Sequence, residues 1–294
     1  MRVFAHDTHV YPLPAGHRFP LEKYALLRER IAAEPRLTVD DASAASWDEL
    51  GRAHEAPYLA KVRAGELSER EQRALGLPWS SALVERARRS TGATIAAARV
   101  ALVDGRAGNL GGGTHHAAAS AGRGFCVFND VVVALRVLRC EGLLRRVLVV
   151  DLDVHQGDGT HALLAADPDA FTVSVNGLAN YPYRRVAGDL ELDFRDGTTD
   201  EPYLEGVERV LTDALRRSRP EFAFYLGGAD PYEGDRLGRL SITKAGLAAR
   251  DELVAGALSQ AGVPACITLA GGYAEDVRDT VDINERTLVS FIRG

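Results

Sequence analysis

Cysteine, methionine, tryptophan and lysine are all scarce in this chain: its thiols are Cys126, Cys140 and Cys266, and lysine occurs at positions 23, 61 and 244 alone. A few thiols, odd in number and two of them in apolar contexts, argue against a disulfide framework and for free thiols in a reducing compartment. No charged-then-apolar amino-terminal leader and no apolar run of membrane-spanning length is present, so a cytoplasmic location is expected and a membrane partner is not. Linkers and internal repeats are missing as well, which makes one domain over residues 1–294 the expectation. Net positive charge is also lacking. A balance of −6 with a pI near 5.8 argues against a nucleic-acid surface and is mildly compatible with cationic lysine or polyamine substrates.

What is present is a chain of 294 residues, 46% hydrophobic, large enough for one α/β core. Four strand-like runs each lead into a polar cluster. Gly108-Asn109-Leu110 enters Gly111-Gly112-Gly113-Thr114-His115-His116, and Val147-Leu148-Val149-Val150 enters Asp151-Leu152-Asp153-Val154-His155. Phe222–Leu226 leads through Gly227-Gly228-Ala229 to Asp230, and Ala265–Leu269 leads to Ala270-Gly271-Gly272-Tyr273. Helical patterns at Leu21–Glu34, Ser80–Val103, Asn129 to Glu141, Glu201–Arg217 and Thr243–Gln260 lie between and around them, while Glu66–Ser80 reads as surface loop. This alternation predicts a mostly parallel sheet flanked by helices, and ligands of such sheets bind beyond the carboxyl ends of the strands.

Alternate residues of an extended chain share a side, so Asp153 and His155 can converge on one metal, with Asp230 as third ligand. Three protein ligands with open positions is the pattern of catalytic zinc. Taken alone, Asp-x-Asp-x-His is equally a salt-bridged strand end, adjacent histidines are more often polar loop residues, and a Tyr after Gly-Gly more often packs. A phosphate loop at Gly111-Gly112-Gly113 is disfavoured because no Gly-Lys-Ser/Thr follows. The four clusters gain weight by falling at four strand ends together.

Five strings in order, GGGTHHA (Gly111–Ala117), GFCVFND (Gly124–Asp130), VVDLDVHQGDGT (Val149–Thr160), GGADPYEGDRLGRLSIT (Gly227–Thr243) and LAGGYAED (Leu269–Asp276), resemble the zinc-dependent histone deacetylase family. The fourth string, with LEGVERVLTDAL before it and RDELV after it, looks most like the class IV branch. The resemblance implies an arginase/deacetylase-like fold and hydrolysis of an acyl amide on an acyl-lysine protein or peptide. It assigns zinc to Asp153, His155 and Asp230, general base then acid to His116, and electrostatic help to His115. Asp151 and Asp158 would orient the two histidines, and the Tyr273 hydroxyl would stabilise the oxyanion. Gly124, Phe125, Tyr181 and Gly271 would line the substrate tunnel. A monovalent cation, potassium or sodium, would sit on Asp151 and Ser174 with carbonyls of Asp153, His155 and Val175. The class IV likeness further implies a capacity for fatty-acyl chains.

Departures from the family pattern are visible. Asn176 stands where many relatives have His, Lys23 where many have Arg beside the acetate exit path, and 66–78 offers no secure counterpart of the carboxylate that grips the substrate backbone. An acylated polyamine or other small amine therefore remains open as substrate, as does a non-catalytic binder of acyl groups. The sequence is silent on oligomeric state.

Overall fold

Val147-Leu148-Val149-Val150 and Phe222–Leu226 are apolar at every position because both faces of their strands are covered, the signature of a buried parallel sheet. The computed structural model describes residues 1–293, so Gly294, the last residue of the expected domain span, lies outside them. In chain order the elements are β1 (Arg2–Ala5), α1 (Lys23–Ala32), β2 (Thr38–Asp41), α2 (Trp47–Leu50), α3 (Ala56–Ala64), α4 (Glu69–Leu75), α5 (Ser81–Asp104), β3 (Arg106–Asn109) and α6 (Asp130–Cys140). They continue as β4 (Val147–Asp151), α7 (Asp158–Leu164), β5 (Ala170–Gly177), β6 (Leu190–Phe194), α8 (Asp200–Ser218), β7 (Phe222–Leu226), α9 (Lys244–Gln260), β8 (Ala265–Thr268) and α10 (Val277–Arg293). The strands form one eight-stranded sheet in the order β2-β1-β3-β8-β7-β4-β5-β6, every pair parallel.

Alternation along the strands divides the core in two. Val147, Val149, Phe222, Phe224 and Leu226 face α5 and α6, while Leu148, Val150, Ala223 and Tyr225 face α1, α8, α9 and α10. Ala93, Ala97 and Ala98 on α5 are wholly buried and Ala96 is half-buried, and Asn129 caps α6 by accepting from the Val132 N–H at 3.1 Å. No helix among the described residues is long and apolar enough to cross a membrane. Cys126 and Cys266 are buried and Cys140 is exposed, all three free.

One expectation is corrected. The segment read as surface loop at 66–80 contains α4, started by a capping box in which Ser68 Oγ accepts from Glu71 N–H and the Glu71 carboxylate accepts from Ser68 N–H. The Ser-x-x-Glu signal was present in the sequence, and the helix is only two turns long. Its end, at left-handed Gly76, matters for the site: the Ala74 and Leu75 carbonyls accept from Gly124 N–H at 3.1 Å and Phe125 N–H at 2.8 Å.

A buried histidine ties the layers behind the site together. His54 donates Nδ1–H to the Ala118 carbonyl at 3.0 Å and accepts from Asn129 N–H at Nε2, 2.9 Å. Asn129 in turn donates to Thr160 Oγ1 and the Ala117 carbonyl. Burial lowers the His54 pKa to about 4, against its backbone partners. The unfolded chain therefore takes up a proton at higher pH than the folded one, so this stability is complete above about 6.5 and is lost as pH falls toward 4. We expect thermal denaturation followed between those two pH values to show a falling melting temperature, and His54→Gln to be less stable at neutral pH with a shallower acid slope. A variant with the parent's slope would remove His54 from that dependence.

Candidate active site

The sheet order makes β3, β8, β7 and β4 consecutive, so the four polar clusters after their carboxyl ends meet at one place. They open into a cavity of about 610 Å³, lined among others by His115, His116, Asp153, His155, Asp230, Gly271 and Tyr273. The convergence of clusters separated by more than 150 residues follows from the strand order alone.

Asp153, His155 and Asp230 form the one group of potential metal-holding side chains among the described residues, one donor atom from each lying within 4.8 Å of the others. His155 Nδ1 is 2.9 Å from Asp153 Oδ1 and 3.3 Å from Asp230 Oδ2. Backbone donors fix the carboxylates: Gly271 N–H reaches Asp153 Oδ2 at 2.7 Å, His155 N–H reaches Asp153 Oδ1 at 2.9 Å, and Val154 N–H reaches Asp230 Oδ1 at 2.9 Å. Asp230 Oδ2 is left buried without a hydrogen-bond partner. Burial, then the charge of Asp153, raises the Asp230 carboxyl to about 7, and the two carboxylates, overcoming burial, push the His155 imidazole to about 10. An orphaned buried oxygen, two close carboxylates and an imidazole nitrogen form a donor set that fits a divalent cation. The space is kept by glycine: a Cβ at Gly271 would stand 1.9 Å from Asp230 Oδ2 and 2.6 Å from Asp153 Oδ2. Behind these side chains lies Arg250, fully buried; it pairs with Asp251 at 2.8 Å and donates to the Gly228 carbonyl at 2.7 Å and the Leu152 carbonyl at 3.3 Å. It thereby clamps the loops after β4 and β7 to each other.

The histidine pair is backed as the resemblance implied. His115 Nδ1 donates to Asp151 Oδ2 at 2.6 Å and His116 Nδ1 to Asp158 Oδ1 at 2.7 Å, because a carboxylate only accepts. In a neutral ring that arrangement leaves Nε2 as the unprotonated nitrogen. Their environments differ. Burial opposes charge on both, but Asp151 and Asp153 hold His115 up at about 9, whereas burial and the charge of His115 drive His116 down to about 3. Asp158, wholly buried, also lies 3.1 Å from the Arg123 guanidinium, which with His116 keeps its carboxyl below the ordinary range despite burial.

Around these groups the walls carry the other expected residues. A Cβ at Gly124, which has φ 55°, would lie 2.5 Å from His116 Cδ2. Phe125 adopts φ 67°, an uncommon conformation for a side chain of that size, held by the bonds from α4. Tyr181 stands edge-on to His116 with ring centroids 4.9 Å apart, and Tyr273 lies 5.8 Å from the Phe125 ring. Lys23 is buried, donates to the Gly272 carbonyl at 3.3 Å and stands 5.4 Å from the Tyr273 ring centre. Strand register sets Ser174 opposite Asp151, and its hydroxyl donates to Asn176 Oδ1 at 2.8 Å.

Three organising groups escaped sequence reading. Asp235 accepts from the N–H groups of Tyr273, Leu237 and Gly238 and so fixes the Tyr273 loop. Asp130, at the start of α6, accepts from Gly113 and Thr114 N–H and shapes the histidine loop. Arg123 carries no motif signal, since its partner Asp158 is 35 positions away. The signals that existed were Asp235 inside the fourth string and Asp130 at the end of the second.

A parallel α/β fold with a buried candidate metal centre at its strand ends is the class that sheet and site define. Residues 17–283 match the histone deacetylase domain model. An uncharacterized protein of Picosynechococcus is 39% identical over 284 residues, covering 95% of this chain and 94% of that protein. A histone deacetylase-like amidohydrolase of Pseudomonas aeruginosa is 28% identical over 90% of this chain and 74% of its own length. Histone deacetylase 2 of Arabidopsis thaliana is 35% identical over 63% of this chain and 49% of its own. In fold, the chain resembles an HDAC homologue complexed with SAHA, with a TM-score of 0.81 at 22% identity, covering 98% of this chain and 82% of that one. The chain belongs to the histone deacetylase family.

The glycine cradle gives a direct test. Gly271→Ala should lower metal affinity roughly 10- to 100-fold, the range for losing support around a ligand set. Metal titration followed by elemental analysis checks this, and parent-like affinity would show that the cradle is not where the ion sits.

Proposed function

We propose that this chain is a zinc-dependent deacylase that hydrolyses the amide of an acyl-lysine or similar acylated amine. The observation that carries the reading is the opening of two carboxylate-backed histidines and Tyr273 into the same cavity as the buried Asp153–His155–Asp230 donor set. Zinc on those three residues would supply a Lewis acid for the amide carbonyl and a water made acidic enough to ionise near neutrality.

The remaining work falls to the protein. Gly124, Phe125 and Tyr181 sleeve the amine side of the substrate and exclude bulk water, and Gly271 leaves room for the acyl carbonyl. His116 Nε2 takes the proton of the attacking water as its oxygen bonds to the carbonyl carbon. The same nitrogen returns that proton to the amine as the carbon–nitrogen bond breaks. Asp158 holds the His116 ring in the needed tautomer, and His115, backed by Asp151, places positive charge beside the developing oxyanion. The Tyr273 hydroxyl donates to that oxyanion. Asp151, Ser174 and the carbonyls of Asp153, His155 and Val175 offer hard oxygens to a potassium or sodium ion, which would steady the strand end beneath His115. The string from Gly227 to Thr243 supports a place nearest the class IV branch. Buried Lys23, a cation in the wall beside Tyr273, favours a short acyl group over the fatty chain that likeness implied.

A small acylated amine gains support over a peptide, because residues 66–78 bring Arg73 to the pocket and no carboxylate to grip a peptide backbone. No observation favours a non-catalytic binder.

Removing ligands and removing proton-transfer groups should separate. Asp230→Ala should lose both metal and turnover, whereas Asp158→Asn should keep the metal by elemental analysis and lose most turnover. Retained zinc in Asp230→Ala would refute the ligand assignment. Tyr273→Phe should keep its metal while kcat falls about 10²- to 10³-fold, the range for one oxyanion donor. Turnover at the parent rate would end the oxyanion role.

A further inference from the structure

The acidity of the whole chain does not extend to the mouth of the pocket. Besides the histidines, the charged residues that line it are Asp153 and Asp230 at the floor and the cations Arg18, Lys23, Arg73, Arg123 and Arg239 on the walls and rim. A divalent ion on the two carboxylates cancels them, which leaves the cations to set the local field. Net charge fixes neither the sign nor the strength of the potential inside a cleft, because low-dielectric walls focus the nearest charges.

The arginines are free to meet a ligand. Arg18 has the Phe125 ring beneath it, 5.7 Å from Cζ to centroid, and forms no ion pair among the described residues. Arg73 pairs with Glu69 at 3.2 Å and Arg239 with Asp196 at 2.9 Å, both pairs at least about half exposed on each partner. Exposed pairs of this kind contribute about 0–1 kcal/mol and yield readily to a competing anion. Arg123 is held by Asp158 through one nitrogen, while its buried Nε has no hydrogen-bond partner. Arg73 lies on α4, the same short helix whose carbonyls hold Gly124 and Phe125, so its cation is built into the wall of the channel.

We infer that the substrate of this site carries a carboxylate close to its acylated amine, and that the rim arginines select it and reject polycations. The inference rests on the deacylase reading for the position of the amide and on the rim alone for the charge. The carboxylate has two sources: the α-carboxylate of a free acylated amino acid, or acidic residues beside an acyl-lysine in a peptide. In both, a carboxylate on the amine side of the amide falls where Arg18, Arg73 and Arg239 can donate planar, paired hydrogen bonds to it. An acylated polyamine meets like charge at the same place.

The test reads binding apart from turnover. The zinc-loaded protein is titrated calorimetrically with three Nε-acetyl-lysine probes: one Nα-capped with a free α-carboxylate, one flanked by aspartates in a capped tripeptide, and one flanked by arginines. At low ionic strength at least one anionic probe should bind roughly tenfold or more tighter than the arginine-flanked one, and salt should shrink the difference. Tight binding of the free-carboxylate probe identifies an acylated amino acid as the source, and preference for the aspartate tripeptide alone identifies an acidic peptide. Arg73→Glu, at an exposed helix position, should narrow or reverse the preference, and Arg18→Gln should weaken it. Equal binding of all three probes, tighter binding of the arginine-flanked peptide, or binding of none overturns the inference. A protein that prefers the anionic probes yet hydrolyses none of them loses the deacylase reading and keeps this one.

Discussion

Two carboxylates buried against each other at the ends of β4 and β7 are the constraint around which the rest of this molecule is arranged. Like charges removed from water cannot both stay ionised unless a cation stands between them, and the upward push on Asp230 expresses that cost. Every nearby feature either holds the pair in place or makes room for the compensating charge. Backbone N–H groups of Val154, His155 and Gly271 satisfy three of the four oxygens, and a glycine with no Cβ keeps the fourth open. Arg250 then joins the two ligand loops through their carbonyls. A fully parallel sheet makes this affordable, since two hydrophobic layers fix the strand ends rigidly enough to hold the arrangement.

The same strand ends organise the histidine pair. Asp151 closes β4 and orients His115, Asp158 opens α7 and orients His116, and the two rings lie 4.1 Å apart between centroids. Adjacent imidazoles cannot both carry charge comfortably. Burial and the neighbour's charge keep His116 neutral, while carboxylates on two sides favour charge on His115. One dipeptide thus sets a neutral ring beside one that favours charge, from identical side chains.

Much of this was legible in the sequence because it depends on local pattern. Apolar runs ending in polar clusters gave β3, β4, β7 and β8, and alternation gave the convergence of Asp153 with His155. Long periodic stretches gave α5, α8 and α9 within a residue or two. Two helices were not legible: α4 has two turns and a polar composition, and α10 gave no recognised signal despite seventeen residues. Groups whose role is set by distant backbone were also invisible. Asp235 works through three N–H groups, and Arg123 through a carboxylate on another loop. Net charge misled in a third way, because summing over the whole chain hides a basic mouth.

The small size of α4 has a bearing on how such a protein diversifies. Seven residues are too few to form a stable helix alone, so its shape is borrowed from the domain it packs on. In return it presents Arg73 to the mouth and carbonyls to the Gly124–Phe125 turn. One of the entrance's cations and the support of its bore therefore sit on one brief stretch of chain, apart from the floor of the pocket. A segment of that kind can be exchanged as a cassette, altering what enters while the chemistry beneath stays as it was.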